Sequence, residues 1–303
     1  MIPEKLRKEL EHQQYRIVGN HSAVKLCTWT KKSIKDEGVC YKEKFYGIIK
    51  SHRCLQMSPN ITCDQNCLFC WRIIEKTKIK MEKNEIDEPK EIIKGCIEQQ
   101  RLLLSGFGGF KGTNMKKYKE ALHPKHAAIS LIGEPLLYPK ISELIEEFHR
   151  QGFTTFLVTN SQHPEILQHI SEPTQLYISV DAPDKETYKM LDRPANKDFW
   201  ERLLKSLEIM NSFSCRKVIR LTMVKGYNMK NPEGYAKLIN IANPDFVELK
   251  AYMHVGESRK RLPREAMPFH EDVKEFAEKV SELSGYPYKD EQKESRVVLL
   301  ARK

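Results

Sequence analysis

The sequence predicts an α/β protein: a partial or near-complete (βα) barrel of about six βα units, with an N-terminal extension and basic insertions. From residue 53 onward, short apolar runs rich in β-branched residues recur along the chain. Amphipathic helical patterns separate these runs, and no internal repeat or Gly/Ser linker interrupts them. Alternation of this kind is typical of parallel strands joined by right-handed helical crossovers.

The apolar runs predict strands over residues 54–58, 127–132, 154–159, 176–180, 218–224 and 246–251, and 296–301 is a candidate final strand. Periodic apolar positions predict helices over 3–14, 141–149, 199–210 and 271–283. Gly152 and Gly285 follow two of these helices as candidate C′ residues. We therefore divide the chain into an N-terminal extension, 1–52, and a barrel domain, 53–303.

Composition excludes several protein classes. The chain has 303 residues, 40% hydrophobic, and a mean hydropathy of −0.57. It is too apolar for a disordered chain and too polar for a membrane protein, and no apolar stretch approaches a bilayer span. The N-terminus lacks the apolar core of a secretory signal, so we expect a cytoplasmic protein. The net charge of +10 suits a polyanionic partner.

Three cysteines carry the most specific local signal. Cys63, Cys67 and Cys70 have the spacing C-x3-C-x2-C, directly after the first predicted strand. Three thiolates on one loop can hold three corners of a cubane cluster and leave the fourth iron without a protein ligand. Zinc usually takes four ligands, often from C-x2-C pairs, so three thiols fit a cubane cluster better. A structural zinc loop and three incidental thiols remain as the alternatives. Cys96 and Cys215 fit structural roles.

The motif resembles that of the radical S-adenosylmethionine (SAM) superfamily, which has an aromatic residue before the last cysteine, here Phe69. The resemblance implies a 4Fe–4S cluster on Cys63, Cys67 and Cys70. SAM would chelate the open iron through its amino and carboxylate groups. One-electron reduction would then cleave it to methionine and a 5′-deoxyadenosyl radical.

The same resemblance implies cofactor-binding residues after successive strands. The segment from Gly133 to Pro135 resembles the family's GGE motif, with Ile132 in place of the first glycine. Glu134 would accept a hydrogen bond from the methionine ammonium group, or it is a solvated turn residue. Thr159 and Asn160 end the third predicted strand, where the family places ribose contacts.

Polar residues also mark the next two predicted strands. Ser179 and Asp181 end the fourth strand, and Arg220 and Thr222 lie within the fifth. An arginine in an apolar run needs an anionic partner. That partner is either the methionine carboxylate or a structural acid, and the sequence leaves both open.

A second set of cysteines precedes the motif. Cys27, Cys40 and Cys54 have the spacing Cys-x12-Cys-x13-Cys. Each alone fits a buried small hydrophobe, but together they are candidates for the ligands of a second cluster. With the later run ELKAYMHVG, 248–256, the whole pattern resembles the 4-demethylwyosine synthases of the wybutosine pathway, over nearly the entire chain.

This resemblance implies a substrate, tRNA-Phe carrying 1-methylguanosine next to the anticodon, and pyruvate as co-substrate. The radical would take hydrogen from the N-methyl group, and the methylene radical would add to the pyruvate carbonyl carbon. Loss of the carboxyl carbon and imine formation would close the third ring of 4-demethylwyosine. Eukaryotic relatives carry a flavodoxin-like domain that this chain lacks, so we expect electrons from a separate flavodoxin- or ferredoxin-like donor. We also expect a monomer.

Lys42 is the Schiff-base candidate for pyruvate, because it lies two residues after Cys40. Partial burial there would lower its pKa and favour the free amine. A solvated surface lysine is the alternative, and pyruvate chelated to the open iron of the second cluster is an equally good mechanism.

Basic clusters are candidate contacts for RNA. They comprise Lys111, Lys116 and Lys117 in a loop with aromatics and glycines, 107–118, the segment of Arg259, Lys260, Arg261 and Arg264, and the lysines at 76, 78 and 80. Such a flexible loop could stack on splayed bases while cations meet phosphates; ordinary solvated charge is the alternative. Two other functions remain open: another radical SAM enzyme with an auxiliary cluster, and a non-catalytic, zinc-stabilised tRNA-binding protein.

Overall fold

A computed structural model describes residues 2–47, 49–73, 77 and 82–303 of the chain, and the lysines at 76, 78 and 80 lie outside these residues. The chain divides into two compact units, residues 1–63 with 76–158 and residues 64–75 with 159–303. These two units are not the predicted domains 1–52 and 53–303, because a compact unit need not be a segment that folds by itself. The division at residue 52 stays a prediction.

The first unit contains six helices and five strands among its described residues. They are α1 (Glu4–His12), β1 (Arg16–Val18), β2 (Ser22–Val24), α2 (Thr28–Ile34), α3 (Tyr41–Tyr46), β3 (Cys54–Ser58), α4 (Pro89–Leu104), α5 (Met115–Ala121), β4 (His126–Ile129), α6 (Ile141–Arg150) and β5 (Thr154–Thr159). The strand order is β1-β2-β3-β4-β5. β1, β2 and β3 pair antiparallel, and β3, β4 and β5 pair parallel.

Local sequence explains α6 and the end of β4. In α6, Ile141, Leu144, Ile145 and Phe148 are buried at helical spacing, and Gly152 follows with φ +73°, as the sequence predicts. β4 ends at Ile129, three residues before the predicted end. The chain turns there because the Ser130 and Leu131 amides donate to the Met57 carbonyl and the Ile132 amide donates to Ser58 Oγ, both at the end of β3.

The second unit contains the remaining described elements. They are α7 (Pro164–Leu167), β6 (Gln175–Ser179), α8 (Lys185–Asp192), α9 (Phe199–Met210), β7 (Arg216–Met223), α10 (Pro232–Ala242), β8 (Phe246–Ala251), α11 (His270–Ser284), β9 (Tyr288–Gln292) and β10 (Val297–Ala301). The strand order is β6-β7-β8-β10-β9, with β6, β7 and β8 parallel and the last two strands antiparallel.

The predicted α/β class is confirmed, and the barrel is partial. Among the described strands, β1 and β9 each pair with one neighbour, so the sheet stays open. The candidate final strand is β10, but it runs antiparallel to β8 and adds no further βα unit. No helix in the described part of the chain is both long and apolar enough to cross a membrane.

Candidate active site

The chain that leads into the cysteine motif rests on the Gly133–Glu134 turn. Gly133 has φ +74°, and a Cβ atom there would lie 2.6 Å from the Thr62 carbonyl oxygen and 2.8 Å from that of Asn60. The Glu134 amide donates to the Thr62 carbonyl at 2.7 Å, and the Asn60 side chain donates to the Glu134 carbonyl at 2.8 Å. Glycine is therefore required at position 133, because two backbones meet there.

Glu134 itself is buried. Its side chain is only 2% exposed, and Oε1 accepts a hydrogen bond from the Leu136 amide at 3.1 Å. This burial excludes a solvated turn residue, the alternative that the sequence left open. The contact with the methionine ammonium group stays a prediction.

In the second unit, the cysteine loop is held by the end of α8. The amides of Asn66 and Leu68 donate to the carbonyls of Asp192 and Leu191 at 3.1 and 2.8 Å. Leu68 and Phe69 pack against a buried cluster that comprises Leu191, Val224, Tyr252, Leu262 and Ala266. The aromatic residue before the last cysteine is thus an apolar anchor that fixes the loop.

The motif cysteines are not in disulfides, and they are half-buried. The Cys67 thiol donates to Gln65 Oε1 at 3.3 Å and to Asp192 Oδ1 at 3.5 Å. Among the residues that the structure describes, no three His, Cys, Asp or Glu side chains are grouped as ligands of a single metal ion. A cubane cluster instead takes each thiolate through a different iron atom, and three accessible thiols on one loop are a donor set that fits it.

The end of β5 supports the same loop. Asn160 donates to Asp64 Oδ1 at 2.7 Å, and His163 Nε2 lies 3.0 Å from Asp64 Oδ2. Burial alone would raise the pKa of Asp64, but the hydrogen bonds from His163 and Asn160 lower it below its ordinary value. Thr159 Oγ1 accepts from the Ser161 amide at 3.1 Å. The Asn160 side chain therefore positions the residue after Cys63, and its ribose contact stays a prediction.

The strands of the second unit align polar residues on one face. Ser179, Arg220 and Glu248 are register partners across β6, β7 and β8, so their side chains point to the same side. Glu248 is fully buried, and the sequence analysis missed it as a partner because register between distant strands is not visible in sequence. Glu248 is therefore a candidate for the structural acid near Arg220, and the methionine carboxylate stays open as the other anion.

Asp181 joins two of these strands. Its Oδ1 accepts a hydrogen bond from the Thr222 amide at 2.7 Å. Burial raises the pKa of Asp181 to about 6, against the opposing effects of that hydrogen bond and of the Arg220 charge. The SAM contacts of Ser179, Asp181, Arg220 and Thr222 stay predictions.

A cavity in the first unit brings the upstream cysteines together. The space among its lining atoms is about 340 Å³, part of it open to solvent, and the lining residues are Cys27, Trp29, Thr30, Cys40, Lys42, Ile49, Ser51, Cys54, His126, Ala128 and Phe156. The first residues of β3, β4 and β5 are Cys54, His126 and Thr154, which are register neighbours. Folds with parallel strands and helical crossovers usually place their chemistry at the carboxyl ends of the strands. This cavity instead lies at the amino ends of three of them, because Cys54 begins β3.

Two short helices and a serine shape this cavity. Cys27 and Cys40 are the residues that precede α2 and α3, and the Cys40 amide donates to Ser51 Oγ at 2.8 Å. Ser51 Oγ in turn donates to Glu43 Oε2 at 2.6 Å. The loop that carries Cys40 is thus fixed by a buried hydroxyl and a carboxylate.

The thiols and the lysine of the cavity interact electrostatically. Burial raises the pKa of the Cys54 thiol, the neighbouring Cys27 and Cys40 raise it further, and Lys42 lowers it. Lys42 is half-buried, with Nζ 5.5 Å from the centroid of the Phe156 ring. Lys42 is therefore not an ordinary solvated lysine.

His126 is a cavity residue that the sequence analysis missed. It is buried, and its Nδ1 lies 2.7 Å from Thr154 Oγ1. Burial, followed by the charge of Arg53, lowers the pKa of His126 to about 4. Its position one residue before a predicted strand was visible, but its pairing with Cys54 was not.

The predicted RNA contacts differ in their surroundings. Lys117 pairs with Asp36 at 2.6 Å and Lys260 with Glu257 at 2.7 Å. The prediction of a flexible loop over residues 107–118 is wrong from Met115 onward, because α5 begins there. Phe107 and Tyr118 pack against a buried cluster. Apolar side chains that find a core order a segment that composition alone suggested was mobile.

Comparisons with known proteins identify the family. The model of the radical SAM superfamily matches residues 57–239, and that of wyosine base formation matches residues 241–302. The S-adenosyl-L-methionine-dependent tRNA 4-demethylwyosine synthase of Pyrococcus abyssi is 51% identical and covers 99% of this chain and 90% of its own. Solved structures of TYW1 with a lysine-pyruvate adduct and of archaeal TYW1 have TM-scores of 0.90 and 0.83 at 42% and 39% identity, each covering 99% of this chain and 96% of its own.

These matches favour an enzyme over the zinc-stabilised binding protein. The superfamily implies a 4Fe–4S cluster and SAM, and the names of the relatives imply a tRNA substrate of the wybutosine pathway. The chain belongs to the tRNA 4-demethylwyosine synthase family of the radical SAM superfamily.

Proposed function

We propose that this enzyme is a carbon–carbon lyase and synthase that condenses two carbons of pyruvate with 1-methylguanosine next to the anticodon of tRNA-Phe. The product is the tricyclic base 4-demethylwyosine. The observation that carries the proposal is the cavity where Cys27, Cys40, Cys54 and Lys42 meet. A 42% identical relative, TYW1, has been solved with a lysine-pyruvate adduct, which supports a lysine in the same chemistry here.

Lys42 is the residue that we propose to bind pyruvate. Its Nζ would attack the carbonyl carbon, and the carbonyl oxygen would leave as water to give the imine. The side chain is half-buried, and Ile49, Ala128 and Phe156 form an apolar wall of the cavity. Such a wall limits water around the imine and so slows its hydrolysis.

Cys27, Cys40 and Cys54 are the proposed ligands of a second 4Fe–4S cluster. The three cysteines are not in disulfides, and they line the cavity together with Lys42. Chelation of pyruvate by the open iron of this cluster is the second candidate for how pyruvate is held. The short distance in sequence between Cys40 and Lys42 is compatible with both.

For the first cluster we propose Cys63, Cys67 and Cys70 as ligands, and as SAM-binding residues Glu134, Thr159, Asn160, Ser179, Asp181, Arg220 and Thr222. When bound and reduced, the cluster and SAM supply the 5′-deoxyadenosyl radical. The chain's own part is to hold the loop: α8 fixes Asn66 and Leu68, and Asn160 with His163 fixes Asp64.

The remaining proposals concern partners. Lys111, Lys116, Lys117, Arg259, Lys260 and Arg264 would meet tRNA phosphates, since exposed cations dominate affinity for nucleic acids. We propose a monomer that receives electrons from a separate flavodoxin- or ferredoxin-like protein in the cytoplasm.

The decisive experiment is anaerobic incubation of the reconstituted enzyme with 1-methylguanosine-bearing tRNA, pyruvate, SAM and a reductant, followed by nucleoside mass spectrometry. We expect 4-demethylwyosine with two pyruvate-derived carbons when labelled pyruvate is used. Formation of 5′-deoxyadenosine without any labelled nucleoside would contradict the proposed substrates. A parallel pyruvate-loaded sample reduced with borohydride tests Lys42, because hydride converts the imine to a stable secondary amine. Absence of a labelled lysine leaves chelation as the better account, and a label on another lysine would move the Schiff base to that residue.

A further inference from the structure

The side chain of Arg261 points toward the loop that carries the motif cysteines, residues 63–72, which we call the cluster loop. Its Nε donates to the Leu68 carbonyl at 3.3 Å, and one terminal nitrogen donates to the carbonyls of Cys70 and, at 3.4 Å, of Arg72. All three acceptors are backbone oxygens of the loop that carries Cys67 and Cys70. The sequence analysis assigned this residue to RNA, but its donors are engaged by the protein itself.

The segment that carries Arg261 is built against the same loop. The Glu257 amide donates to the Trp71 carbonyl at 3.2 Å. Gly256 has φ +59°, and a Cβ atom there would lie 2.4 Å from the same carbonyl oxygen, so only glycine fits this approach. Leu262, next to the arginine, is buried in the cluster that also receives Leu68 and Phe69. Contacts on both sides of Arg261 therefore hold its backbone in place.

An arginine in this position does two things. Its planar guanidinium group has donors in a fixed fork, so one side chain can fix several carbonyls at once. It also carries a positive charge, which the hydrogen bond to the Cys70 carbonyl places beside that cysteine. The reduction potential of an iron–sulfur cluster depends on net charge, hydrogen bonding and exposure. A fixed cation stabilises the more negative, reduced cluster and so raises the potential.

We propose that Arg261 is a positioning residue for the SAM-binding cluster: it fixes the backbone around Cys70 and raises the cluster's reduction potential. The proposal rests on family membership, which implies this cluster, and not on the pyruvate chemistry proposed above. Failure of the pyruvate experiment would therefore leave it intact.

The test uses Arg261→Gln, which keeps a donor without charge, and Arg261→Lys, which keeps the charge. Arg302→Gln, at an exposed arginine outside the proposed cluster and RNA contacts, is the matched control. Each reconstituted enzyme is titrated by electron paramagnetic resonance, and the signal that changes when SAM is added identifies the relevant cluster. We expect Arg261→Gln to shift the reduction equilibrium about tenfold toward the oxidised form, which is about 59 mV for one electron. The lysine variant and the control should stay near the wild-type potential.

A wild-type potential in Arg261→Gln at full iron content would overturn the proposal. If the glutamine variant binds less iron, the lysine variant decides: recovered iron with the wild-type potential supports the proposal, and recovered iron with a potential shifted despite the retained charge overturns it. Affinity for tRNA is measured alongside. Weaker tRNA binding by Arg261→Gln with an unchanged potential would return this residue to the RNA surface and also overturn the proposal.

Discussion

The cluster loop and the upstream cavity each gather three cysteines, but by different means. In the loop, Cys63, Cys67 and Cys70 lie within eight residues, and their spacing alone suggests shared ligands. In the cavity, Cys27 and Cys40 precede two short helices and Cys54 begins a strand. Ligand sets that are local in sequence can be recognised as motifs, whereas dispersed sets depend on the register of the sheet.

The two regions are also held by different contacts. Backbone hydrogen bonds from α8 and the guanidinium of Arg261 fix the cluster loop. In the cavity, Ser51 and Glu43 fix the residue before α3. Because none of these contacts is shared between the two regions, we expect each to be removable without loss of the other.

The largest expected effect comes from the two cysteine sets. Replacement of Cys63, Cys67 or Cys70 by Ala should abolish formation of 5′-deoxyadenosine. Replacement of Cys27, Cys40 and Cys54 together should spare that cleavage but stop incorporation of pyruvate. The iron content of the anaerobic protein should fall from about eight to about four atoms per chain when either set of cysteines is replaced. Normal cleavage in a Cys67→Ala protein would refute the cluster assignment.

Lys42 sharpens the comparison inside the cavity. Lys42→Arg keeps the charge but has no nucleophilic amine, so the borohydride-trapped pyruvate adduct should disappear while SAM cleavage continues. Lys44→Arg, exposed on the same helix, is the control and should trap pyruvate normally. If mass spectrometry finds the pyruvate adduct of Lys42→Arg in unchanged yield, the Schiff base does not form on this residue.

Gly133→Ala tests the turn that contacts the chain just before the cysteine motif. The added Cβ meets the Thr62 and Asn60 carbonyls at 2.6 and 2.8 Å and requires an unfavourable φ. We expect a loss of about 3 kcal/mol in the free energy of unfolding, measured by urea denaturation. Gly47→Ala, where φ is also positive but nothing lies within 4 Å, should lose only about 1 kcal/mol. Equal losses in the two variants would show that the close contact at Gly133 does not matter.

His126 makes the first unit sensitive to acid. Because the pKa of His126 is about 4 in the folded chain and about 6.5 in the unfolded chain, the two states differ in protonation between these pH values. In this range the unfolded chain binds a proton that the folded chain does not. Stability should therefore fall as the pH falls through this window, by about 2 kcal/mol after allowance for solvent screening. His126→Gln should flatten this part of the pH profile, and His12→Gln, at an exposed site, should not. An unchanged profile in His126→Gln would contradict the burial of a neutral ring.

The smallest effect concerns RNA. Charge reversal at Arg259 and Lys260 should weaken tRNA binding several-fold and reduce its salt dependence, because fewer counterions are released. The same reversal at Lys111 and Lys116 tests the first unit. Filter binding at several salt concentrations measures both pairs, and unchanged affinity for a pair removes its segment from the RNA surface.

The sequence by itself determined the C-x3-C-x2-C loop, the α/β class and most of the strand and helix positions. The strand Cys54–Ser58 and the helix Phe199–Met210 were predicted with their observed bounds. Such features depend on neighbours a few residues apart, so spacing and periodicity report them directly. The three-residue hairpin strands β1 and β2 were too short to give a periodic signal.

Only the tertiary structure decided which distant residues meet. His126 beside Cys54, Glu248 beside Arg220 and Arg261 on the Cys70 carbonyl all depend on strand register or on loops packed across long sequence separations. A shift of one residue in a strand would turn His126 or Glu248 to the other face of the sheet. No local pattern encodes that register, because it is set by the packing of the whole core.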